Sequence, residues 1–537
     1  MASTPTPSPQ QPAPHHLSVS EHRSAAEHLS AAEHLSAADH LSAAELIDVV
    51  VDPESFVSWD EPVPDPAGDS TIDAGYRADL VKARARSGRD EAVVTGEGRI
   101  RGRRVGVIVS EFAFLAGSIG QAAADRIVAA IERATREGLP LLAGPASGGT
   151  RMQEGTLAFL SMVRITAAVR AHRQAGLPYL VYLRHPTTGG VMASWGSLGH
   201  MTVAEPGALL GFLGPRVFEA LYGRPFPKGV QVAENLFDKG LIDAVVAPAQ
   251  LPEILDRALG ILVPASAAPV PPPATLAVRP ATVAAWDSVL ISRNPRRPDL
   301  RQLLAFGAID ALPLNGTGQG EKDPGLLLAL ARFGSQSCVV LGHNRRRPSQ
   351  DNAMGPASLR EARRGMRLAE ELHLPLLTVI DTSGAALSQE AEEGGLAGEI
   401  ARSLHDLIGL RAPSVSVLLG QGAGGGALAL LPADRTIAAQ HAWLSPLPPE
   451  GASAIVHRSV DFAPQMSAAQ GVHGAALWAA GLVEHVVDER PDAALEPRAF
   501  CERMSRAIEF ELSRLRVVPL DELLVARVQK YRRLGRT

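Results

Sequence analysis

Cysteine is nearly absent: in 537 residues only Cys338 and Cys501 occur. Two cysteines build neither a disulfide framework nor a four-cysteine zinc ribbon, and the expectation is a reduced, intracellular chain with no metal site of that kind. Aromatic residues are scarce at 4%, so the core must rely on Ala, Leu, Val and Ile. Neither sign of charge dominates; a net charge of −5 leaves no broad basic field for nucleic acid. No stretch reaches about 18 uninterrupted apolar residues, so no membrane span is expected. The Pro-, Ser- and His-rich N-terminus shows no apolar signal segment, and the cytoplasm is the default location. No Gly-Lys-Ser or Gly-Lys-Thr follows a glycine cluster, which argues against a P-loop. A Gly-x-Ser-x-Gly elbow is also missing; Ser194 in Met192-Ala-Ser-Trp-Gly196 is a partial echo.

What the chain does carry is a duplication. Leu139-Pro140-Leu141-Leu142 precedes Ser147-Gly148-Gly149, Pro178 follows, and then Thr188-Gly189-Gly190. Leu374-Pro375-Leu376-Leu377 precedes Thr382-Ser383-Gly384, Pro413 follows, and then Gly424-Gly425-Gly426. Pro140 to Pro178 and Pro375 to Pro413 are both 38 residues apart, and Gly148 to Gly189 and Gly384 to Gly425 are both 41. Strict spacing of this kind predicts two copies of one unit, each with two glycine turns.

The chain divides accordingly. Residues 1–42 read as a disordered, low-complexity tail in which Ser-Ala-Ala-Glu-His-Leu, with Asp39 for Glu in its third copy, repeats every six residues from Ser24. A six-residue step turns about 600° on a helix, so neither the leucines nor His22, His28, His34 and His40 share a face, and a solvated segment is favoured over a metal site. Residues 43–262 form a first domain, residues 263–280 a Pro/Ala-rich linker, and residues 281–537 a second domain. In the first, periodicity predicts helices at 122–137 and 152–174 and buried strands at 140–143 and 179–183. In the second, it predicts helices at 358–372 and 396–408 and strands at 376–380 and 414–419, with amphipathic helix after Asp488. Helices alternating with apolar strands imply an α/β architecture.

Each glycine turn follows a buried strand and leads into a helix. Backbone N–H groups at a helix start have no intrahelical partners, and a glycine lets a ligand oxygen approach closely. Phosphate cradling, oxyanion stabilisation and plain helix packing all use that arrangement. The ribose-binding acid expected about 20 residues after a dinucleotide-binding turn does not follow Gly420, Gly422 and Gly425, since Asp434 falls too early. Neither cysteine adjoins a turn, and Ser147 and Ser383 are as readily turn residues as nucleophiles. Anion stabilisation without covalent catalysis is favoured.

Beyond these turns, residues about 43–262 resemble the β subunit of bacterial acetyl-CoA/acyl-CoA carboxylase carboxyltransferase. The resemblance lies in Phe112 to Gly120, Ser147-Gly-Gly-Thr-Arg-Met-Gln-Glu154, Pro186-Thr-Thr-Gly-Gly-Val191, Ala204-Glu-Pro206 and Gly211 to Arg216. Residues about 281–535 resemble the α subunit, through Asp381-Thr-Ser-Gly-Ala385, Ala391-Glu-Glu393, Gly420 to Leu428 and Pro449-Glu-Gly451. The resemblance implies a β–α fusion with two tandem crotonase/ClpP-like ββα-superhelix domains.

It further implies transfer of a carboxyl group from carboxybiotin, held on a separate carrier protein, to the α-carbon of an acyl-CoA. Acetyl-CoA to malonyl-CoA, in fatty acid biosynthesis, is the expected case. The catalytic groups it implies are the backbone N–H groups of Gly189, Gly190, Gly425 and Gly426, one pair for each of two oxyanions. Gly117, Gly148, Gly149, Gly384, Ala385 and Gly424 are expected to line the substrate pocket, while Arg77 and Lys82 meet the CoA phosphates or else belong to a solvated helix face. Arg151 and Glu154 read as an i,i+3 pair holding the turn. Implied partners are biotin carboxylase and biotin carboxyl carrier protein, because no Ala-Met-Lys-Met biotinylation site occurs. A homodimer or dimer assembly is implied, with active sites between the N half of one protomer and the C half of another. The zinc ribbon of the β subunit is missing. The family's Asp-Thr-Pro-Gly-Ala-Tyr-Pro-Gly reads Asp381 to Ser388 without its prolines and tyrosine, and Ala423 stands where glycine is usual. These departures keep open a non-catalytic or altered-specificity paralogue; a crotonase-like acyl-CoA decarboxylase is the other alternative.

Overall fold

Two seven-stranded sheets repeat one topology, and each is built from strands laid down in the order of the sequence. A computed structural model describes residues 40–64, 73–263, 283–345 and 353–534, with short pieces between 269 and 281. The hexapeptide repeats up to residue 39 and most of the Pro/Ala-rich segment lie outside the described residues. The first sheet runs Val57–Ser58, Val93–Ile100, Arg103–Ser110, Leu141–Gly144, Tyr179–Leu183, Met201–Ala204 and Ala244–Val245. The second runs Asp310–Leu314, Leu326–Phe333, Gln336–His343, Leu376–Thr382, Ser414–Gly422, Arg435–Ala439 and His485–Val487. In both, the first two pairings are antiparallel and the next four parallel. Parallel pairing buries both faces, which accounts for apolar runs such as Tyr179–Leu183, buried at every position.

The expected helices and strands lie where the periodicity put them, with ends shifted by up to three residues. The helices are Gln121–Arg136, Gly155–Gln174, Pro356–Glu371 and Leu396–Gly409. The paired prolines hold equivalent places: Pro140 O accepts from Gly106 N and Pro375 O from Val339 N, both at 2.9 Å, while Pro178 O and Pro413 O accept from Leu141 N and Leu376 N at 2.8 Å. Helix Gln121–Arg136 closes through left-handed Gly138, with Leu139 N donating to Ala134 O at 2.9 Å. At the matching end of Pro356–Glu371 the left-handed residue is His373, φ 52°, and Leu374 N donates to Ala369 O at 3.0 Å.

One core runs through both halves. Helix Leu251–Leu262 packs on strands Leu326–Phe333 and Asp310–Leu314 of the second sheet and also on Val93–Ile100 of the first. Around it the seam is polar. Asp243 accepts from Arg364 at 2.8 and 3.0 Å, from Thr202 N at 2.9 Å and from Asn315 N at 3.1 Å. At the same seam a Cβ on Gly316 would lie 2.5 Å from the Gly240 Cα, so two chain turns touch backbone to backbone. The first helix of the body, Ala43–Val50, is capped by Ser42 in a reciprocal box with Glu45.

Candidate active site

Both glycine turns in each half are fixed to each other through the backbone. In the first half, strand Leu141–Gly144 leads to Ser147, whose hydroxyl accepts from Gly149 N at 3.0 Å and donates to Gly117 O at 2.6 Å. Leu115, Ala116 and Gly117 are all left-handed, and Gly148 N reaches back to Ala116 O at 2.9 Å. A Cβ on Gly117 would stand 2.0 Å from Ala146 O, so this glycine is required by contact between two loops. Thr188 N then donates to Ser147 O, and Gly189 N to Phe212 O, both at 2.9 Å. Gly190 follows as the second residue of the short helix Gly189–Met192, where its N–H has no intrahelical acceptor. The Ser194 hydroxyl holds the Gly190 carbonyl at 2.6 Å.

The second half repeats the sequence of contacts. Thr382 Oγ1 accepts from Gly384 N at 3.1 Å; Ala423 N donates to Thr382 O at 3.1 Å and Gly424 N to Ser445 O at 2.9 Å. Gly425 and Gly426 are then the second and third residues of helix Gly424–Leu428. Ala385 closes the cradle from the other side, since a Cβ on Gly426 would lie 3.2 Å from Ala385 N.

These contacts correct the pairing suggested by the 41-residue spacing. Ser147 corresponds to Thr382, Gly149 to Gly384, Gly189 to Gly424 and Gly190 to Gly425, with 42 residues from hydroxyl to first turn glycine in both halves. Gly189 is therefore not a free donor: its N–H is spent on Phe212 O, as that of Gly424 is on Ser445 O. The N–H groups of Gly148, Gly149 and Gly384 are spent as well, so these residues shape the turns. Gly190, Gly425 and Gly426 keep N–H groups that their own helices cannot satisfy. Ser147, Ser194 and Thr382 have their hydroxyls committed to backbone partners, so none is a poised nucleophile. Cys338 and Cys501 are buried.

Charged groups near the turns brace them. Arg151 and Glu154 meet at 3.2 Å as the spacing suggested, but the main partner of Arg151 is Glu91, unnoticed in the sequence, in an ion pair almost closed to solvent. Arg151 also donates to Ser118 O at 2.8 Å, and Glu154 accepts from Gln121 N at 2.6 Å, which ties the Phe112–Gly120 loop to the turn. Under the second site, Asp381 accepts from Gln421 N at 3.0 Å and pairs with Arg345 at 2.9 Å. Burial pushes the Asp381 carboxyl up, and Arg345 and the Gln421 N–H pull it back. Arg77 and Lys82 lie on helix Ala74–Ser87 with no ion-pair partner among the described residues, whereas Arg84 and Arg86 donate to backbone carbonyls of Pro64 and Ala113. That helix touches the turn through the Tyr76 hydroxyl, which donates to Glu154 at 2.5 Å. No cluster of His, Cys, Asp and Glu among the described residues is arranged to hold a metal ion.

The carboxyl transferase domain family matches residues 36–521. The chain belongs to that family. Its relatives include a probable biotin-dependent acyl-coenzyme A carboxylase beta3 subunit of Mycobacterium tuberculosis, strain H37Rv, 60% identical over 492 residues that cover 91% of this chain and 98% of the relative. An acetyl-coenzyme A carboxylase carboxyl transferase beta/alpha chain of Salinispora arenicola is 36% identical over 509 residues, 90% of this chain and 89% of that one. Among solved structures, the transcarboxylase 12S hexamer with methylmalonyl-coenzyme A bound aligns with TM-score 0.67 at 21% identity, covering 87% of this chain and 90% of the other. The expected fold is thus the observed one: α/β, with the tandem crotonase-like domains of carboxyl transferases in the two seven-stranded sheets.

Proposed function

We propose that the chain transfers a carboxyl group from biotin, carried on a separate protein, to the α-carbon of an acyl-CoA thioester, with acetyl-CoA as acceptor and malonyl-CoA as product. The observation that carries this reading is the pair of matched helix starts, each with backbone N–H groups left over and no nucleophile beside it. The reaction develops negative charge on two oxygens, that of the thioester and that of the biotin ureido group, and each turn supplies fixed donors for one of them. A preorganised donor of this type contributes about 3 to 4 kcal/mol to the transition state. Neither turn has room for a side chain: a Cβ on Gly190 would sit 2.8 Å from Thr150 Oγ1 and one on Gly425 2.8 Å from Ile400 Cδ1. Carboxylated biotin supplies the carboxyl group; Gly190, Gly425 and Gly426 hold the oxygens, and Arg77 and Lys82 meet the CoA phosphates. The names of the relatives, acyl-CoA carboxylase and acetyl-CoA carboxylase carboxyl transferase, support the substrate class.

On this reading residues 43–262 are the acyl-CoA side, 263–280 the linker and 281–537 the biotin side, in a cytoplasmic complex with biotin carboxylase and its carrier protein. No helix among the described residues is long and apolar enough to cross a membrane. A homodimer with the site between protomers is supported by apolar surface next to the turns. Helix Gly155–Gln174 buries Ile165 and Val169 while leaving Leu157, Phe159, Leu160 and Val163 exposed, and Leu387 beside Gly384 is 95% exposed. The decisive assay is carboxyl exchange between malonyl-CoA and free biocytin. Exchange is expected; none with acetyl-, propionyl- or longer acyl substrates from folded protein would leave a non-catalytic paralogue, and decarboxylation without biocytin would leave the crotonase-like decarboxylase.

A further inference from the structure

A cavity of about 210 Å³ at the polar seam has no part in the reaction scheme; its walls include Arg173, His200, Asp243, Arg364, Arg367 and Glu371. A cavity of ~150 Å³ already holds a benzene-sized molecule and drug-sized ligands need roughly 300 Å³ or more, so a compact guest fits. The walls come from both halves. Arg173 lies near the end of helix Gly155–Gln174 and His200 just before strand Met201–Ala204, while Arg364, Arg367 and Glu371 lie on helix Pro356–Glu371. The cavity is at the opposite end of the strands from the glycine turns: Leu180 pairs with Met201, which sets His200 beside Tyr179, the first residue of its strand, whereas Gly189 follows the last, Leu183.

Charge in the cavity does not cancel. Asp243 accepts from Arg364 at 2.8 and 3.0 Å and Glu371 from Arg173 at 2.5 Å, so both acids are taken. The third guanidinium, Arg367, has no ion-pair or hydrogen-bond partner among the described residues, and Arg363 and Arg364 stand four and three residues before it on the same helix. Like charges at that spacing repel, and an anion relieves them.

A buried donor adds direction. His200 is 2% exposed. Its Nδ1 accepts from Tyr179 N at 3.0 Å, which puts the ring proton on Nε2. That Nε2–H makes no well-formed hydrogen bond; Glu371 Oε2 lies 3.4 Å away and is already engaged by Arg173. Both residues line the cavity, so the donor is directed at its space.

We propose that this cavity binds a compact oxyanion, a small metabolite bearing a phosphate or carboxylate group, with Arg367 supplying the charge and His200 Nε2–H a fixed donor from the other half of the chain. Both groups accept from a guanidinium and an imidazole N–H. The ligand bridges strand Met201–Ala204 and helix Pro356–Glu371 across the seam. The inference is separate from carboxyl transfer and is read by binding, so a chain without exchange activity leaves it standing.

The test is calorimetric titration of the full chain, at constant ionic strength, with inorganic phosphate and separately with succinate. Saturation at one site per chain with a dissociation constant of about 1 mM or lower is expected, and the tighter probe names the group. Arg367→Gln and His200→Leu should each weaken that binding about tenfold or more. Arg367 is solvent-exposed, so its variant carries the test if His200→Leu does not fold. Binding that Arg367→Gln leaves unchanged, or that Arg77→Ala with Lys82→Ala abolishes instead, is an adventitious ion only and overturns the proposal. Failure of both probes to saturate by about 20 mM overturns it as well.

Discussion

Gly425→Ala is the substitution whose consequence follows most directly from the geometry. Gly425 has no left-handed φ, so alanine meets no backbone strain there, and inside a helix it is intrinsically favoured by roughly 0.5 to 1 kcal/mol. Its methyl, however, would stand 2.8 Å from Ile400 Cδ1, against 3.4 Å for the start of ordinary contact. The turn must therefore lift off helix Leu396–Gly409, or Ile400 must turn away, by about 0.6 Å. Misplacement of about 1 Å costs about a hundredfold in an oriented reaction, so half that distance predicts a loss of about tenfold in exchange kcat, with the melting temperature nearly unchanged. Ile400→Val removes the offending carbon for about 1 kcal/mol of stability. The double variant Gly425→Ala/Ile400→Val is expected to regain most of the lost rate, as read by malonyl-CoA/biocytin exchange alongside calorimetry. Exchange by Gly425→Ala at the wild-type rate, or no recovery on trimming Ile400, would refute this link between turn position and rate.

Gly424→Ala, one residue earlier, forces alanine into φ 65° and should lower stability by about 1 to 2 kcal/mol, seen in urea unfolding. Asp243→Ala removes the acceptor shared by Arg364, Thr202 N and Asn315 N and leaves a guanidinium unpaired at the seam; a loss of about 3 to 5 kcal/mol is expected in the same measurement. Arg77→Ala with Lys82→Ala should leave the melting temperature within a degree or two while raising the KM for malonyl-CoA, and the salt dependence of that KM should weaken. Burial pushes the Glu361 carboxyl up to about 8, offset by Arg364, with Asp323 and Asp243 adding to the rise. A folded pKa above the unfolded one means that ionisation works against the fold: the penalty is absent below about pH 4.5 and grows as pH rises through 8. Glu361→Gln should thus match wild type in stability near pH 5 and exceed it near pH 9, a crossover that pH-resolved denaturant titration would detect.

The repeating unit was legible because its punctuation is local. Prolines before buried strands and glycines at turns are demanded by backbone geometry within a few residues, and so they survive in the text of the chain. Counting glycines puts the two turns one residue out of register, because the element common to both halves is a hydroxyl: Ser147 in one half, Thr382 in the other, each accepting from the N–H two residues on. Spending of N–H groups was invisible for a related reason, since Phe212 O and Ser445 O come from strands or loops more than twenty residues away. Glu91 carries no mark in the sequence, because nothing near it distinguishes a buried ion-pair partner from an ordinary residue at the start of a strand. Periodicity also gave no hint that helix Leu251–Leu262 serves two sheets, since a helix apolar on most sides reads the same whichever neighbours cover it.

The capping box at Ser42 bears on how the tail has been free to change. Ser42-Ala-Ala-Glu45 is the last partial copy of the unit that recurs from Ser24 onward, and it is the copy that starts helix Ala43–Val50. Gain or loss of whole upstream units, eighteen nucleotides at a time, keeps the reading frame and leaves the same serine in front of Ala43. Homologous genes can therefore differ in tail length by multiples of six codons while the first helix of the folded body begins in an unaltered way.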